Sequence, residues 1–352
     1  AGHEVVVFER SPVRLEQRGA GIGFLPATYR YLHERAGVDL AKISVPTSHI
    51  RYLDALGNVV HDESHNYLFS SWNTVYESTL NHFGASNYHL NFEMSSFSQT
   101  LDSVSVNFTN GRSVESHVLV AADGIGSMAR NTLIPRSKSV YAGYVAWRGL
   151  IPGDRVPPGL LDPPLCMTLG PRRMLMRYPL RRGSWINFVA IAKRDAWMEE
   201  GWSVRSTLDE LMAEFFDFEP RALDLLALTP PDRLYKWGLF DRDPLPSWTH
   251  GRVTLLGDAA HAMPPFTGQG AVMALEDAAV LGRAAQVCEA EDLFLKRYES
   301  ERVGRVTDAL AMSRARANLY FGDDPAEQVK ALTAGMMELR TLYDYDAGAV
   351  DF

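Results

Sequence analysis

Gly251-Arg252-Val253-Thr254-Leu255-Leu256-Gly257-Asp258-Ala259-Ala260-His261-Ala262-Met263-Pro264-Pro265-Phe266-Thr267-Gly268-Gln269-Gly270 is the stretch from which the fold can be read. Arg252 to Leu256 is short and apolar, which predicts a buried strand. Gly257-Asp258 ends it, and a loop bearing Pro264 and Pro265 follows. Gly268 and Gly270 let backbone approach a ligand just where an Ala- and Leu-rich helix over 271–287 begins. Helix N-termini present unpaired N–H groups and about half a positive charge. This end therefore suits a phosphate, or a ring that becomes anionic.

Two similar junctions lie upstream. Val118-Leu119-Val120-Ala121-Ala122 runs into Asp123-Gly124-Ile125-Gly126-Ser127-Met128-Ala129-Arg130, where glycine permits a tight turn and Asp can cap the next helix. Val5 to Phe8 reads as a buried strand ending at Glu9. In a dinucleotide fold an acid at that place accepts hydrogen bonds from ribose hydroxyls, because a carboxylate offers two oxygens to two vicinal donors. A GxGxxG fingerprint is expected roughly 20 residues earlier. Only eight residues precede Glu9, and Gly19-Ala20-Gly21-Ile22-Gly23 follows it, as part of a glycine-rich turn that starts at Arg18. The expectation is a sequence that starts inside its first βαβ unit. The alternative is a site that binds no dinucleotide.

The three junctions fall at the beginning, middle and end of the chain, so one nucleotide-binding domain interrupted by inserted sheet is expected. Pro26 fits the first turn of a helix to about Ala36, closed by Gly37. Residues 50–60 predict a hairpin with its turn at Leu56-Gly57-Asn58, and 72–83 a helix. Val104 to Phe108, Asn110-Gly111 and Val114 onward predict a second hairpin. Strands over 141–149, 165–169, 173–178 and 184–192, broken by Pro and Gly, predict a mostly antiparallel sheet. Helix is expected over 206–216 and over most of the chain from 271 to about 340. The segments 1–45, 76–138 and 250–288 are assigned to the nucleotide-binding domain. Residues 46–75 and 139–249 go to a substrate domain, and 289–352 to a C-terminal helical region.

Composition narrows the function. Of 352 residues, 46% are hydrophobic and 22% charged, which excludes disorder on compositional grounds. A net charge of -8 argues against a nucleic-acid partner. Cys166 and Cys288 are far apart and form no CxxC, so neither a metal site nor a disulfide framework is expected, and a reducing cytoplasm fits. No apolar run reaches the ~18 residues needed to cross a bilayer.

At these residues the chain resembles the single-component flavoprotein aromatic hydroxylases, the class of p-hydroxybenzoate and salicylate hydroxylases. Glu9-Arg10 is similar to the family's ribose-binding acid and its neighbour, Asp123-Gly124 to its DG motif, and Gly257-Asp258 with Gly268-Gln269-Gly270 to its GD motif. Ile43-Ser44-Val45-Pro46, Tyr52-Leu53-Asp54-Ala55 and Tyr141-Ala142-Gly143-Tyr144-Val145-Ala146-Trp147-Arg148-Gly149 resemble the dihydroxypyridine-hydroxylating branch; the GD segment resembles the salicylate type. The resemblance implies an α/β (α+β mixed) fold. It has a Rossmann-like FAD-binding domain of the p-hydroxybenzoate hydroxylase type, lacking its first strand and GxGxxG, with an inserted antiparallel substrate-domain sheet and C-terminal helices. It implies FAD contacts from Glu9, Arg10, Arg18, Gly21, Met94, Asp123, Gly124, Gly257, Asp258, Pro265, Gly268, Gln269, Gly270, Ala271 and Val272. Two departures stand out. Trp72-Asn73-Thr74 occupies a helix start that often carries Arg, and Val272 stands where Asn is common.

The implied reaction is NAD(P)H- and O2-dependent hydroxylation of a small hydroxylated aromatic or N-heteroaromatic ring through a flavin C4a-hydroperoxide, in a cytoplasmic enzyme compatible with a homodimer. Competing readings are a flavoprotein acting on a larger non-aromatic ligand, or an inactive fragment that does not hold FAD. Candidate catalytic residues are His261, whose ordinary pKa suits a base, and Tyr144 and Arg148, which share a strand face. Met174, Met176 and Tyr178 share another face and read as core or as the wall of an apolar pocket. Pro264-Pro265-Phe266 reads as a rigid wall beside the flavin, and Trp72, Trp147 and Trp237 as core.

Overall fold

The computed structural model describes residues 2–15, 21–24, 31–34, 37–197, 204–288, 290–335 and 342–350, with the side chain of His65 outside this set. Arg18 and the helix expected from Pro26 to Ala36 lie largely outside the described residues.

A nine-stranded sheet dominates. In chain order its strands are β2 (Gly21–Phe24), β3 (Val45–Asp54), β4 (Val59–Ser71), β10 (Val140–Pro152), β11 (Cys166–Gly170), β12 (Arg173–Leu180), β13 (Trp185–Lys193), β14 (Val204–Arg205) and β15 (Leu234–Asp241). The spatial order is β14-β15-β10-β13-β12-β11-β3-β4-β2. Every pair is antiparallel except β11 with β3. Period-two alternation gives the sheet two apolar faces. Tyr144, Ala146, Met174, Tyr178 and Ile191 occupy one core; Val145, Trp147, Leu175, Phe188 and Ala190 occupy the other.

The remaining strands form smaller sheets. β1 (Val7–Glu9) pairs in parallel with β5 (Tyr88–Leu90). β6 (Met94–Gln99), β7 (Val104–Phe108) and β8 (Ser113–Ser116) form an antiparallel meander. β9 (Leu119–Ala121), β16 (Thr249–His250) and β17 (Val253–Leu255) form a third sheet in which β17 is parallel to β9. The exit strand of the second hairpin is thus divided: 113–116 stays with the meander, while 119–121 joins β17. Val5, Val6 and Val7 and, on β9, Val120 remain exposed.

Helices among the described residues include α1 (Leu40–Ile43), α2 (Trp72–Phe83), α3 (Met128–Leu133), α4 (Leu208–Glu214), α5 (Pro220–Ala227), α6 (Asp258–His261), α7 (Gly270–Val287), α8 (Glu291–Tyr320) and α9 (Pro325–Ala334). Among the described residues no helix is long and apolar enough to cross a membrane. The expected glycine turn at 18–23 is corrected for 21–23, since Gly21, Ile22 and Gly23 are strand, paired with Ser71, Ser70 and Phe69 on the edge of β4. The expected loop 257–270 contains α6 and a 3-10 turn over Pro265–Thr267. The single helix over 206–216 is α4, ended at Phe215 and followed by a separate α5 that starts at Pro220.

Candidate active site

One cavity of about 2650 Å³ runs through the molecule between the large sheet, the small parallel sheets and α7. That exceeds the 300–1,000 Å³ of an ordinary small-ligand pocket, so an extended ligand and a smaller one fit end to end.

Its first end is built at β1. Glu9 lines it, half-buried, with one carboxylate oxygen accepting the Ser11 amide at 2.7 Å. Arg10 beside it is exposed and also lines the cavity, as does Met94, whereas Gly21 lines it beside Tyr178. Phe8 sits under this end, 4.9 Å from Phe108 and 5.0 Å from Phe92 between ring centroids.

The middle is built from the Asp123-Gly124 and Gly257-Asp258 junctions. Asp123 accepts the Ala129 amide at 3.1 Å, and Ser127 accepts that of Arg130 at 2.9 Å, so both side chains cap α3. Gly124 has φ 77°, and a Cβ added there would meet nothing within 4 Å. Its backbone therefore faces open cavity. Gly257 has φ 61°, which a side chain would strain, and it turns the end of β17 into α6.

Arg130 joins the two junctions. It is 1% exposed and donates to the Ala259 carbonyl at 3.0 Å and the Ile125 carbonyl at 2.5 Å. Burial, with Arg242 nearby, pulls its pKa down to about 10. Asp258 is enclosed by protein atoms yet accessible through the cavity, and burial raises its carboxyl above the usual range.

Beyond them Pro265, Gly268, Gln269, Gly270 and Ala271 line the cavity at the start of α7. A Cβ added at Gly268 or Gly270 would meet nothing within 4 Å, and the buried Gln269 Oε1 and Thr267 Oγ1 have no hydrogen-bond partner. An open backbone cradle, an 18-residue helix aimed from it and orphaned acceptors are what a flavin phosphate chain and ring would use. The residues present therefore fit FAD. Val272 does not share this wall; it is 1% exposed within the core, so its side chain points away from the cavity.

The far end is a chamber under the sheet. Met167, Met174, Met176, Tyr178, Tyr52, Tyr67 and Trp237 line it from the large sheet, with Tyr52 beside Met167, and Phe266, Tyr343 and, on α8, Arg316 and Tyr320 line it from elsewhere. The Met/Tyr stripe is thus cavity wall, and Trp72 and Trp237, expected as core, line the cavity too. Trp147 is core, donating to Ser206 at 3.1 Å.

The three catalytic candidates stand behind this wall. His261 is 5% exposed, with Nε2 at 2.6 Å from Asp277 and its ring 5.3 Å from Trp248. Tyr144 packs on Phe266 and Phe321, at 5.0 and 4.6 Å between centroids. The Arg148 guanidinium lies 5.7 Å over Trp237, which lines the cavity, while Arg148 itself does not.

A buried charge cluster supports the Gly257 turn. Asp277 on α7 accepts the Gly257 amide at 3.0 Å and pairs with Arg302 of α8 at 2.8 Å. Burial alone would raise the Asp277 carboxyl, but His261 and Arg302 outweigh it and hold it below the ordinary range. Arg302 Nη1 also lies 2.7 Å from Glu276, a pair in distance but not aligned as a hydrogen bond. Arg305 grips the same Glu276 through two bonds of 2.7 Å. Sequence reasoning missed Arg130, Asp277, Arg302 and the tyrosine wall. A signal was present for Arg130 alone, as the last residue of the quoted Asp123–Arg130 run.

Several known proteins are similar to this chain. A 3-amino-4-hydroxybenzoate 2-monooxygenase of Streptomyces platensis is 36% identical over 234 residues, 65% of this chain and 58% of that protein, so the match spans less than two thirds of the relative. A 3-hydroxybenzoate 6-hydroxylase of Klebsiella oxytoca is 30% identical over 349 residues, covering 94% of this chain and 86% of that one. The fold is shared with 2,6-dihydroxypyridine-3-hydroxylase from Arthrobacter nicotinovorans, with a TM-score of 0.82, 25% identity and coverage of 92% and 88% of the two chains. Residues 61–313 match the FAD binding domain family, and with the cradle described above the chain belongs to that family.

Proposed function

We propose that the chain carries out FAD-dependent hydroxylation of a small hydroxylated aromatic or N-heteroaromatic ring, with NAD(P)H as electron donor and O2 as oxidant. The observation that carries this reading is one continuous cavity of about 2650 Å³, lined by Glu9, Asp123, Asp258 and the Gly268–Ala271 backbone and also by Met, Tyr, Trp and Phe side chains. The names of the relatives, which act on hydroxybenzoates and an aminohydroxybenzoate, support it.

When bound, the flavin supplies electron transfer and oxygen activation. The chain's own residues bind, orient and exclude water. Glu9 would hold the ribose and Asp258 the ribityl chain, each as a hydrogen-bond acceptor for hydroxyls. The free N–H groups of Gly270 and Ala271 at the start of α7 would hold negative charge on a phosphate or ring. Pro265 and Phe266 form a stiff side wall, and the methionines of the sheet keep the chamber dry. His261 acts as a positioning residue, since it reaches the Gly257 turn through Asp277 rather than touching the cavity. Tyr144 and Arg148 brace the chamber through Phe266 and Trp237.

The test is a visible absorption spectrum of the purified chain after FAD is added and excess removed, then NAD(P)H oxidation with and without 3-hydroxybenzoate, salicylate and 2,6-dihydroxypyridine. A retained, shifted flavin band and oxidation stimulated by one of these rings are expected. A colourless protein, or oxidation indifferent to every ring, overturns the reading.

A further inference from the structure

The chamber is lined by an arginine that makes no ion pair among the described residues. Arg316 lies on α8, one turn before Tyr320, is 8% exposed and lines the chamber. Its buried Nε has no hydrogen-bond partner. Three other arginines of the same helix are each paired with a carboxylate: Arg302 with Asp277, Arg305 with Glu276 and Arg314 with Asp241. Arg316 takes part in no ion pair among the described residues.

Its neighbours are phenols. The guanidinium lies 5.7 Å over the Tyr320 ring, and it interacts with Tyr52, Tyr67 and Tyr343. Burial holds Tyr52 and Tyr343 well above the ordinary phenol range, so they stay neutral and supply dipoles, not a counter-charge. Glu63 also lines the chamber; its carboxylate is 3.9 Å from His61 on the same strand and a quarter exposed. Guanidinium does not deprotonate in a protein, and a buried charge is costly unless paired.

We propose that Arg316 is the anchor for a carboxylate on the substrate ring, so that the chamber selects aromatic acids over neutral phenols of the same size. The terminal guanidinium N–H groups, which have no carboxylate partner, donate to one carboxylate oxygen, and a phenol of the tyrosine wall donates to the other. The ring then lies against Met174, Met176 and Tyr178, with its acid end toward α8. This deepens the hydroxylase reading and rests on it.

The test uses the FAD-loaded chain and follows perturbation of the visible flavin band during titration with 3-hydroxybenzoate and, separately, with 3-hydroxybenzamide. The wild-type chain should bind the acid about 30-fold more tightly than the amide, the range expected for a hydrogen bond to a charged group. Arg316→Met should raise the Kd of the acid by about 30-fold and change that of the amide less than threefold, with flavin content unchanged. Arg316→Lys should recover part of the loss. An Arg316→Met chain that binds the acid like wild type, or that loses both ligands equally, overturns the assignment. Should that variant fail to fold, equal wild-type affinity for acid and amide overturns it without any variant. Binding of neither ligand by the flavin-loaded wild type would sink the aromatic-substrate reading instead.

Discussion

His261 Nε2 lies 2.6 Å from Asp277 Oδ2, and that same oxygen accepts the amide of Gly257 at 3.0 Å. One carboxylate oxygen therefore fixes both the turn that ends β17 and the imidazole four residues on. Its other oxygen takes Arg302 of α8. The loop over the cavity is held from behind by polar and charged groups that are 0–5% exposed.

Replacing Asp277 with Asn should cost about 3–5 kcal/mol, because it leaves Arg302 short of a partner in a buried site. The urea midpoint measures this, and a loss below about 1 kcal/mol would refute the role. The pH dependence has a definite sign. Asp277 titrates lower folded than unfolded, so its contribution is full above its ordinary value of 3.8 and fades as pH falls through the folded value. The wild-type chain should show an acid limb below about pH 4 that is shallower in the variant.

Asp258 behaves oppositely. Burial raises its pKa, so its ionised form destabilises the fold once pH rises through that raised value, and below 3.8 the cost vanishes. Asp258→Asn should raise the melting temperature of the flavin-free chain at pH 7 while weakening flavin retention by about tenfold. A variant that melts lower, or that holds flavin as tightly as wild type, contradicts this.

Arg130→Met should loosen the Asp123-Gly124 and Gly257-Asp258 junctions at once, since the Ala259 and Ile125 carbonyls lose their shared donor. A destabilisation of about 2–4 kcal/mol is expected, with faster flavin dissociation. Unchanged dissociation kinetics would show that the junctions stay aligned without it.

Gly21 lies on the cavity wall, and a Cβ there would fall 2.0 Å from the Tyr178 hydroxyl. Gly21→Ala should push the Tyr178 ring, 4% exposed, toward the chamber and weaken binding of a ring substrate by about tenfold or more, with flavin content kept. Equal ring affinity in the two proteins would mean that Tyr178 can turn elsewhere.

What could be read from sequence was local. The GD stretch, Asp123-Gly124 and the strands 141–149, 173–178 and 184–192 each carry their signal within ten or twenty residues, and the structure has elements at each. The turn expected at Gly21-Ile22-Gly23 became strand because an edge of β4, some fifty residues away, offered it partners. Trp237 reads as core by type, and only the sheet's register shows its face turned to the cavity. Arg302 and Arg316 look alike in sequence, two arginines in a long polar helix. What separates them is Asp277, which meets Arg302 and leaves Arg316 alone, a difference made by packing between α7 and α8.

Helix α8 carries contacts to both halves of the cavity. Arg302 serves the Gly257 turn, Ser313 donates to the Pro264 carbonyl at 2.6 Å, and Arg316 and Tyr320 reach the chamber. Each residue of an α-helix advances about 1.5 Å and rotates about 100°. One codon gained or lost between Arg302 and Arg316 would swing one set of contacts a quarter turn off its partners. The spacing along this stretch is thus as constrained as any motif, though no single residue type announces it. Chimeras between relatives should tolerate a crossover in α8 only where the count from Arg302 to Tyr320 is kept.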